Sequence, residues 1–157
     1  MKSELIVVGR TADRRFDSII NDYMERIRHY MPFSITVVEA LKNTRSLSEQ
    51  QQKETEGSHI LKLIQTSDHV VLLDERGLTL RSVELAAWLE KKRQLGSRRL
   101  VFVIGGPYGF SKEVYQRANE KLSLSALTLS HQMIRLLFTE QIYRACTIIK
   151  GEPYHHE

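Results

Sequence analysis

Apolar positions along the chain alternate between short continuous runs and stretches spaced at three and four. Glu4 to Gly9 is a continuous run and reads as a buried strand. Phe16, Ile19, Ile20, Tyr23, Ile27 and Tyr30 then mark one face of a helix, which Pro32 stops. Phe33 to Val38 predicts a second strand, and Leu41 to Leu47, polar and basic, a loop. Ser48 with Gln51 resembles a capping box, opening a helix to about Gln65. The first half of that helix, Glu49 to Glu56, is polar and is expected to be exposed. Val70 to Leu73 predicts a third strand, ended by Asp74-Glu75-Arg76-Gly77. Ser82 is placed as the cap of a helix with Leu85, Trp88 and Leu89 inward and Gly96 at its end. Leu100 to Ile104 predicts a fourth strand. The turn Gly105-Gly106-Pro107-Tyr108-Gly109 and a short helix from Lys112 to about Asn119 follow.

Leu122 to Arg135 has a different pattern. Apolar and hydroxyl residues alternate through Leu122, Leu124, Leu127 and Leu129, which no ordinary amphipathic helix does. Leu122 to Ser125 suits a short half-buried strand. The serines and threonine beyond it offer hydroxyl and backbone groups in a tight segment. A helix from about Met133 to Ile149 follows, with Ile134, Leu137, Phe138, Ile142 and Ala145 on its apolar face. A bent polar segment flanked by leucines suits a small amphipathic ligand, and equally a plain connection between strand and helix. The alternation of strands and helices predicts an α/β fold, a mainly parallel sheet with helices on both faces.

Composition narrows this picture. The 157 residues carry 41% hydrophobic and 27% charged positions, the balance of one globular domain, residues 1–157, with a real core. There is no repeat, low-complexity tract or linker. Lys plus Arg is 23 and Asp plus Glu is 19, a net +4 that permits an anionic partner without requiring one. Cys146 is the only cysteine, so an internal disulfide is excluded, and its place on the last helix suggests a buried, inert thiol. The opening apolar run, Leu5 to Val8, is too short for a signal peptide or a membrane span, so a cytoplasmic protein without a membrane partner is expected.

Three segments carry candidate chemistry. The glycine turn follows a strand, where parallel sheets bind ligands and where glycines let backbone amides come close. Its spacing is not that of a dinucleotide-binding loop, and there is no phosphate-loop lysine. Leu73 and Asp74 end another strand and face the same crevice. The tail from Gly151 to Glu157 gathers Tyr154, His155 and His156, either a catalytic group or a frayed end. Basic residues cluster at Lys91, Lys92, Arg93, Arg98 and Arg99, and at Lys42 and Arg45; both groups are candidates for phosphate contact or for plain solvated surface.

In order along the chain, Ile104-Gly105-Gly106-Pro107-Tyr108-Gly109, Leu124 to Leu129 followed by His131-Gln132-Met133-Ile134-Arg135, and Pro153-Tyr154-His155 resemble the RlmH family of SPOUT methyltransferases. Gln141 to Ala145 also looks like that family, and the resemblance covers essentially the whole chain. It implies S-adenosylmethionine as cofactor and methylation at N3 of a pseudouridine in 23S rRNA, within the large subunit or whole ribosome. It implies a homodimer and a C-terminal trefoil knot in the α/β fold. By the same resemblance, Leu73, Gly105, Gly106, Leu124, Ser125, Ala126, Leu127, Thr128 and Leu129 bind the cofactor. His131, Arg135, Tyr154 and His155 are candidates for catalysis, and the tail lies near the partner's cofactor site. The cofactor's sulfonium makes the methyl electrophilic, so no metal is implied. Where relatives carry Arg or Lys, this chain has His156, which is mostly neutral near pH 7. A non-catalytic ribosome- or RNA-binding protein of the same fold is the alternative; the glycine spacing disfavours a nucleotide-dependent oxidoreductase.

Overall fold

The computed structural model describes residues 1–94, 96 and 99–157. Arg98, one of the clustered basic residues, lies outside the described residues. Five strands form one all-parallel sheet: β1 (Lys2–Val8), β2 (Phe33–Val38), β3 (His69–Thr79), β4 (Arg99–Ile104) and β5 (Glu120–Ser123), in the order β2-β1-β4-β3-β5. The five helices are α1 (Arg14–Arg28), α2 (Glu49–Lys62), α3 (Ser82–Gln94), α4 (Lys112–Arg117) and α5 (His131–Lys150), with a short 3-10 turn over Thr44–Ser46 inside the expected loop. The sheet separates two apolar cores. Phe102, Leu5, Val71 and Leu100 meet α1, α3 and α5 on one face. Ile6, Leu72 and Val103 meet Ile60 of α2 and Val114 of α4 on the other. The central strands are therefore apolar on both sides and read as continuous runs.

Local signals explain most boundaries. Ser48 and Gln51 form the capping box, Ser111 and Ser130 cap α4 and α5, and α1 ends at Arg28, ahead of Pro32. Three expectations are corrected. Ser82 is the first residue of α3 and does not cap it; its hydroxyl donates to Gln141 of α5 at 2.7 Å. Ile19 is 45% exposed, off the buried face of α1 that Ile20 and Ile27 define. Strand β3 does not stop at Asp74: it breaks register after Leu73 and resumes at Leu78 beside Leu122. Gly77 permits this, since a Cβ there would press on the Leu122 backbone at 2.6 Å.

Two of the clustered cations at the other end of the sheet, Arg99 and Lys92, are structural. Arg99 bridges Glu4 and Asp68, whose side chain is wholly buried, and also donates to the Leu63 carbonyl. Lys92 pairs with Glu120, which also accepts from Trp88 Nε1 at 2.9 Å and sits 2.7 Å from His69 Nε2. These groups fasten strand ends and are not available to phosphates. Cys146 is buried as expected, and burial pushes its thiol up to about 11. No described helix is long and apolar enough to cross a membrane.

Candidate functional site

At the carboxyl ends of β3, β4 and β5 lies a cleft of about 530 Å³, the size that holds a small organic ligand or cofactor. Its walls come from the register break in β3 and from the ends of β4 and β5. Leu73 to Arg76 extend from β3, Ile104 to Phe110 follow β4, and Ser123 to Leu129 (without Ala126) follow β5. His131 and Ile134, from the first turn of α5, close it, and Lys53 of α2 reaches its rim. Leu73, Leu124 and Leu129 are half-buried there, while Leu127 is 75% exposed and overhangs the mouth. The segment after β5 holds its bend by its own hydroxyls. Ser123 Oγ donates to the Ser125 carbonyl at 3.1 Å, and Ser125 Oγ accepts the Leu127 amide at 2.9 Å. The leucine alternation thus ends with the strand, and beyond Ser123 the serines build a turn.

Of the nine residues expected to bind a cofactor, eight line the cleft; Ala126 is exposed beside it. The glycine turn works differently from expectation. The Gly106 amide is not free for a ligand: it donates to Glu56 Oε1 at 2.9 Å, and the Gly106 carbonyl accepts from Gly109 at 3.2 Å. A Cβ on Gly106 would sit 2.7 Å from Glu56 Cδ, and one on Gly105 would sit 3.0 Å from the Phe110 ring. Both positions lack a side chain because other parts of this chain occupy the space. Glu56 belongs to the half of α2 expected to be exposed, yet it is 8% exposed. Burial pushes its carboxyl up, against the Gly106 hydrogen bond and the charge of His59. Nothing in its polar neighbourhood in the sequence signals this.

Asp74 supplies negative charge to one wall. Burial pushes its carboxyl up. The Tyr115 hydroxyl, the Arg76 amide at 2.9 Å and the charges of Lys121 and Arg76 outweigh that effect and hold it below the usual carboxylate range. Burial and the bond to Asp74 push Tyr115 up to about 12, so it stays a neutral donor. Tyr115 is a lining residue that the sequence reading did not single out.

The four candidates for catalysis are separated. His131 lines the cleft. Arg135 lies one turn further along α5 and is 4% exposed, donating to the Val8 carbonyl at 2.7 Å and Thr11 Oγ1 at 3.0 Å; burial pushes its pKa down. It holds the β1–α1 loop and does not face the cleft. Tyr154 and His155 lie against the far half of α5, roughly 20 Å along the helix from His131. The Tyr154 ring packs 4.7 Å from Tyr143, with the Arg144 guanidinium 4.6 Å from its centroid, and its hydroxyl donates to Glu140 at 3.1 Å. Burial first, then Tyr23 and Glu140, raise its pKa well above the usual phenol value. His155 Nδ1 is 3.3 Å from Arg144, while its Nε2 is buried with no hydrogen-bond partner. The tail is therefore not the frayed end that was one of its two sequence readings: past Pro153 it is folded onto α5.

Comparison with known proteins places this geometry. A family model described as "Predicted SPOUT methyltransferase" matches residues 1–155. Proteins named ribosomal RNA large subunit methyltransferase H from Bacteroides fragilis, Bacteroides thetaiotaomicron and Flavobacterium johnsoniae are 59%, 57% and 47% identical to this chain. Each match covers all of both chains. With a parallel sheet, a cleft at its carboxyl edge and a match across nearly its whole length, the chain belongs to the SPOUT methyltransferase family.

Proposed function

We propose that this methyltransferase transfers a methyl group from S-adenosylmethionine to N3 of a pseudouridine in 23S rRNA, within the large subunit or whole ribosome, as a cytoplasmic homodimer. The observation that carries the reading is the cleft itself, in a chain whose full-length relatives are named for the ribosomal RNA large subunit. Its walls fit the cofactor. Leu73, Leu124 and Leu129 would clamp a flat heterocycle, and the backbone from Ser123 to Leu129 would bond its edge. The ionised Asp74 would balance a positively charged ligand. Gly105 and Gly106 would shape the floor through Phe110 and Glu56, without giving up the Gly106 amide. The C-terminal knot belongs to this proposal as a feature of the fold family.

When bound, the cofactor supplies a methyl on a positively charged sulfur, electrophilic without a metal. The chain's task is to hold a nitrogen in line with it and manage that nitrogen's proton. An imide nitrogen is a poor nucleophile while protonated. His131 is the imidazole that lines the cleft of its own chain. Tyr154 stays protonated at neutral pH and serves as a hydrogen-bond donor or stacking surface, not a base. His155, with no hydrogen bond at Nε2, the Glu157 carboxylate 3.9 Å from that nitrogen and Arg144 beside Nδ1, is the tail's candidate for accepting the proton or stabilising the anion. Both tail residues are remote from the cleft of their own chain, so they act on the cleft of a second copy. The test is mass spectrometry of large-subunit rRNA from a deletion strain, with calorimetric titration of the protein with S-adenosylmethionine. Loss of one methyl from a pseudouridine, and binding of the cofactor, are expected. An unchanged rRNA, or no binding, would leave a non-catalytic RNA-binding protein.

A further inference from the structure

Arginines without a partner are concentrated in one region. Among the described residues, no carboxylate, carbonyl or aromatic ring lies against the guanidinium groups of Arg10, Arg14, Arg45 and Arg76. Every other described arginine engages one of these, as Arg99, Arg117 and Arg26 respectively do. Three of the four, Arg10, Arg14 and Arg45, follow the carboxyl ends of strands, and Arg76 lies at the register break within β3. Arg76 lines the cleft. The other three are exposed in and beside the loops after β1 and β2. The guanidinium fork is the side chain best matched to phosphate oxygens, and leaving it unpaired on a surface otherwise rich in ion pairs needs a reason.

The two loops form one surface. The Gly9 amide donates to the Val38 carbonyl at 2.7 Å, and a Cβ on Gly9 would touch Ala40 at 3.6 Å, so the chain leaves β1 and β2 side by side. Residues 9–15 and 39–47 carry five cations, Arg10, Arg14, Arg15, Lys42 and Arg45, against Asp13 and Glu39, a net of +3 out of the chain's +4. Asp13 is already paired with Arg15. The surface is also anchored to the cleft. Arg135 donates to Val8 and Thr11, and Gln132 Oε1 accepts the Asp13 amide at 2.9 Å. Both anchors lie in the first turns of α5, the helix whose first residue, His131, lines the cleft.

We propose that the loops after β1 and β2 are the surface on which the phosphate backbone of the RNA substrate lies, with Arg10, Arg14, Lys42 and Arg45 as its phosphate contacts. The proposal rests on the rRNA methyltransferase reading and adds where the RNA lies. A strand held there runs past the mouth of the cleft. The buried Arg135 is then the positioning residue that keeps this surface in register with the cleft.

The test is a triple variant, Arg10→Gln/Arg14→Gln/Arg45→Gln, beside a control, Lys2→Gln/Lys62→Gln/Lys91→Gln, which removes the same charge from exposed positions elsewhere. The triple variant should raise KM for ribosomes at least about tenfold and flatten the salt dependence by about one unit of slope per arginine. Its kcat and its affinity for S-adenosylmethionine should stay within about twofold, as should every constant of the control, since the removed groups bear on phosphate affinity alone. An unmoved KM and salt slope, or an equal loss in the control, would overturn the proposal. Affinity for a protein-free 23S rRNA fragment at low salt is the independent arm, and should fall by a similar factor in the triple variant. If wild type methylates nothing yet binds the fragment through these arginines, the enzymatic reading fails and the surface stands. A loss on ribosomes with none on the fragment would assign the surface to an acidic protein and overturn it.

Discussion

Glu56 on α2 accepts the amide hydrogen of Gly106 at 2.9 Å, from a buried position on the sheet face opposite α5. The carboxylate thus holds the floor of the cleft from outside it. Burial raises its pKa above the ordinary 4.5, so the folded state favours the protonated form. The sign follows: the contribution of Glu56 to stability is fully present below the unfolded-state pKa and is lost as pH rises through the folded-state value. Glu56→Gln keeps an acceptor for Gly106 and cannot ionise. Its unfolding free energy relative to wild type should therefore rise with pH from about 4.5 upward and level off once Glu56 is ionised in both states. Urea denaturation across pH 4 to 8 measures this, as far as the fold persists at the acid end. A difference that does not change with pH would mean that the carboxyl is not perturbed.

Gly106→Val is the natural probe of the glycine turn, and the glycine pattern alone suggests that it removes cofactor binding while sparing the fold. The contact with Glu56 changes that expectation. A Cβ 2.7 Å from Glu56 Cδ must displace a buried, hydrogen-bonded carboxylate. Even Gly106→Ala should destabilise by roughly 1–3 kcal/mol. In a Glu56→Ala background the same change should cost clearly less, because the obstruction is gone. Additive costs in that double-mutant cycle would show the glycine to be needed for some other reason.

The contrast between these residues shows what the sequence carries. Strand runs, helix faces and caps are written in local spacing, so β1, β2, β4, α1 and α5 were legible to within a few residues. The cleft was legible too, because strand ends followed by glycine or serine-leucine turns mark it. Glu56 was not, since its burial depends on a neighbour 50 residues away. Arg135 illustrates the same limit. It was a candidate for catalysis beside His131, but Val8 and Thr11, more than 120 residues away in the chain, bury it under the β1–α1 loop. Arg99 departs from both of its sequence readings, phosphate contact and solvated surface, for the same reason, as Glu4 and Asp68 meet it only in the folded sheet.

The tail should matter to stability as well as to catalysis. Tyr154 contributes an aromatic contact with Tyr143 and a hydrogen bond to Glu140. Tyr154→Ala is therefore expected to cost roughly 1–3 kcal/mol, whereas a frayed tail would cost nothing. His155→Ala removes no comparable packing. It should leave cofactor binding intact and slow single-turnover methyl transfer at least about a hundredfold, the scale of lost acid–base or charge-stabilising help. Wild-type rates in His155→Ala would remove the tail from the mechanism.

The assembled ribosome should be a much better substrate than naked rRNA. A net +4 chain makes few phosphate contacts, and counterion release scales with their number. Shape in a larger particle and several simultaneous contacts must supply the rest. Comparable kcat/KM on a protein-free fragment and on ribosomes would contradict this.

On the proposed roles of His131, Tyr154 and His155, one chain does not hold a whole site. His131 and the leucine walls are at one end of α5; Tyr154 and His155 are at the other, roughly 20 Å away. No local rearrangement brings them together while Tyr154 stays packed on Tyr143. A two-fold dimer resolves this, since each tail then serves the other copy's cleft, and both sites form at once. Two variants separate the halves: His155→Ala, with a damaged tail and a sound cleft, and Leu129→Arg, with a blocked cleft and a sound tail. Each should be nearly inactive alone. Subunits exchanged at equal amounts form heterodimers as about half of all dimers, each with one intact site out of two, so about a quarter of wild-type activity should return. Sedimentation at the same concentrations should show dimers throughout. No recovery on mixing, or full activity from a diluted wild-type monomer, would show that each chain completes its own site.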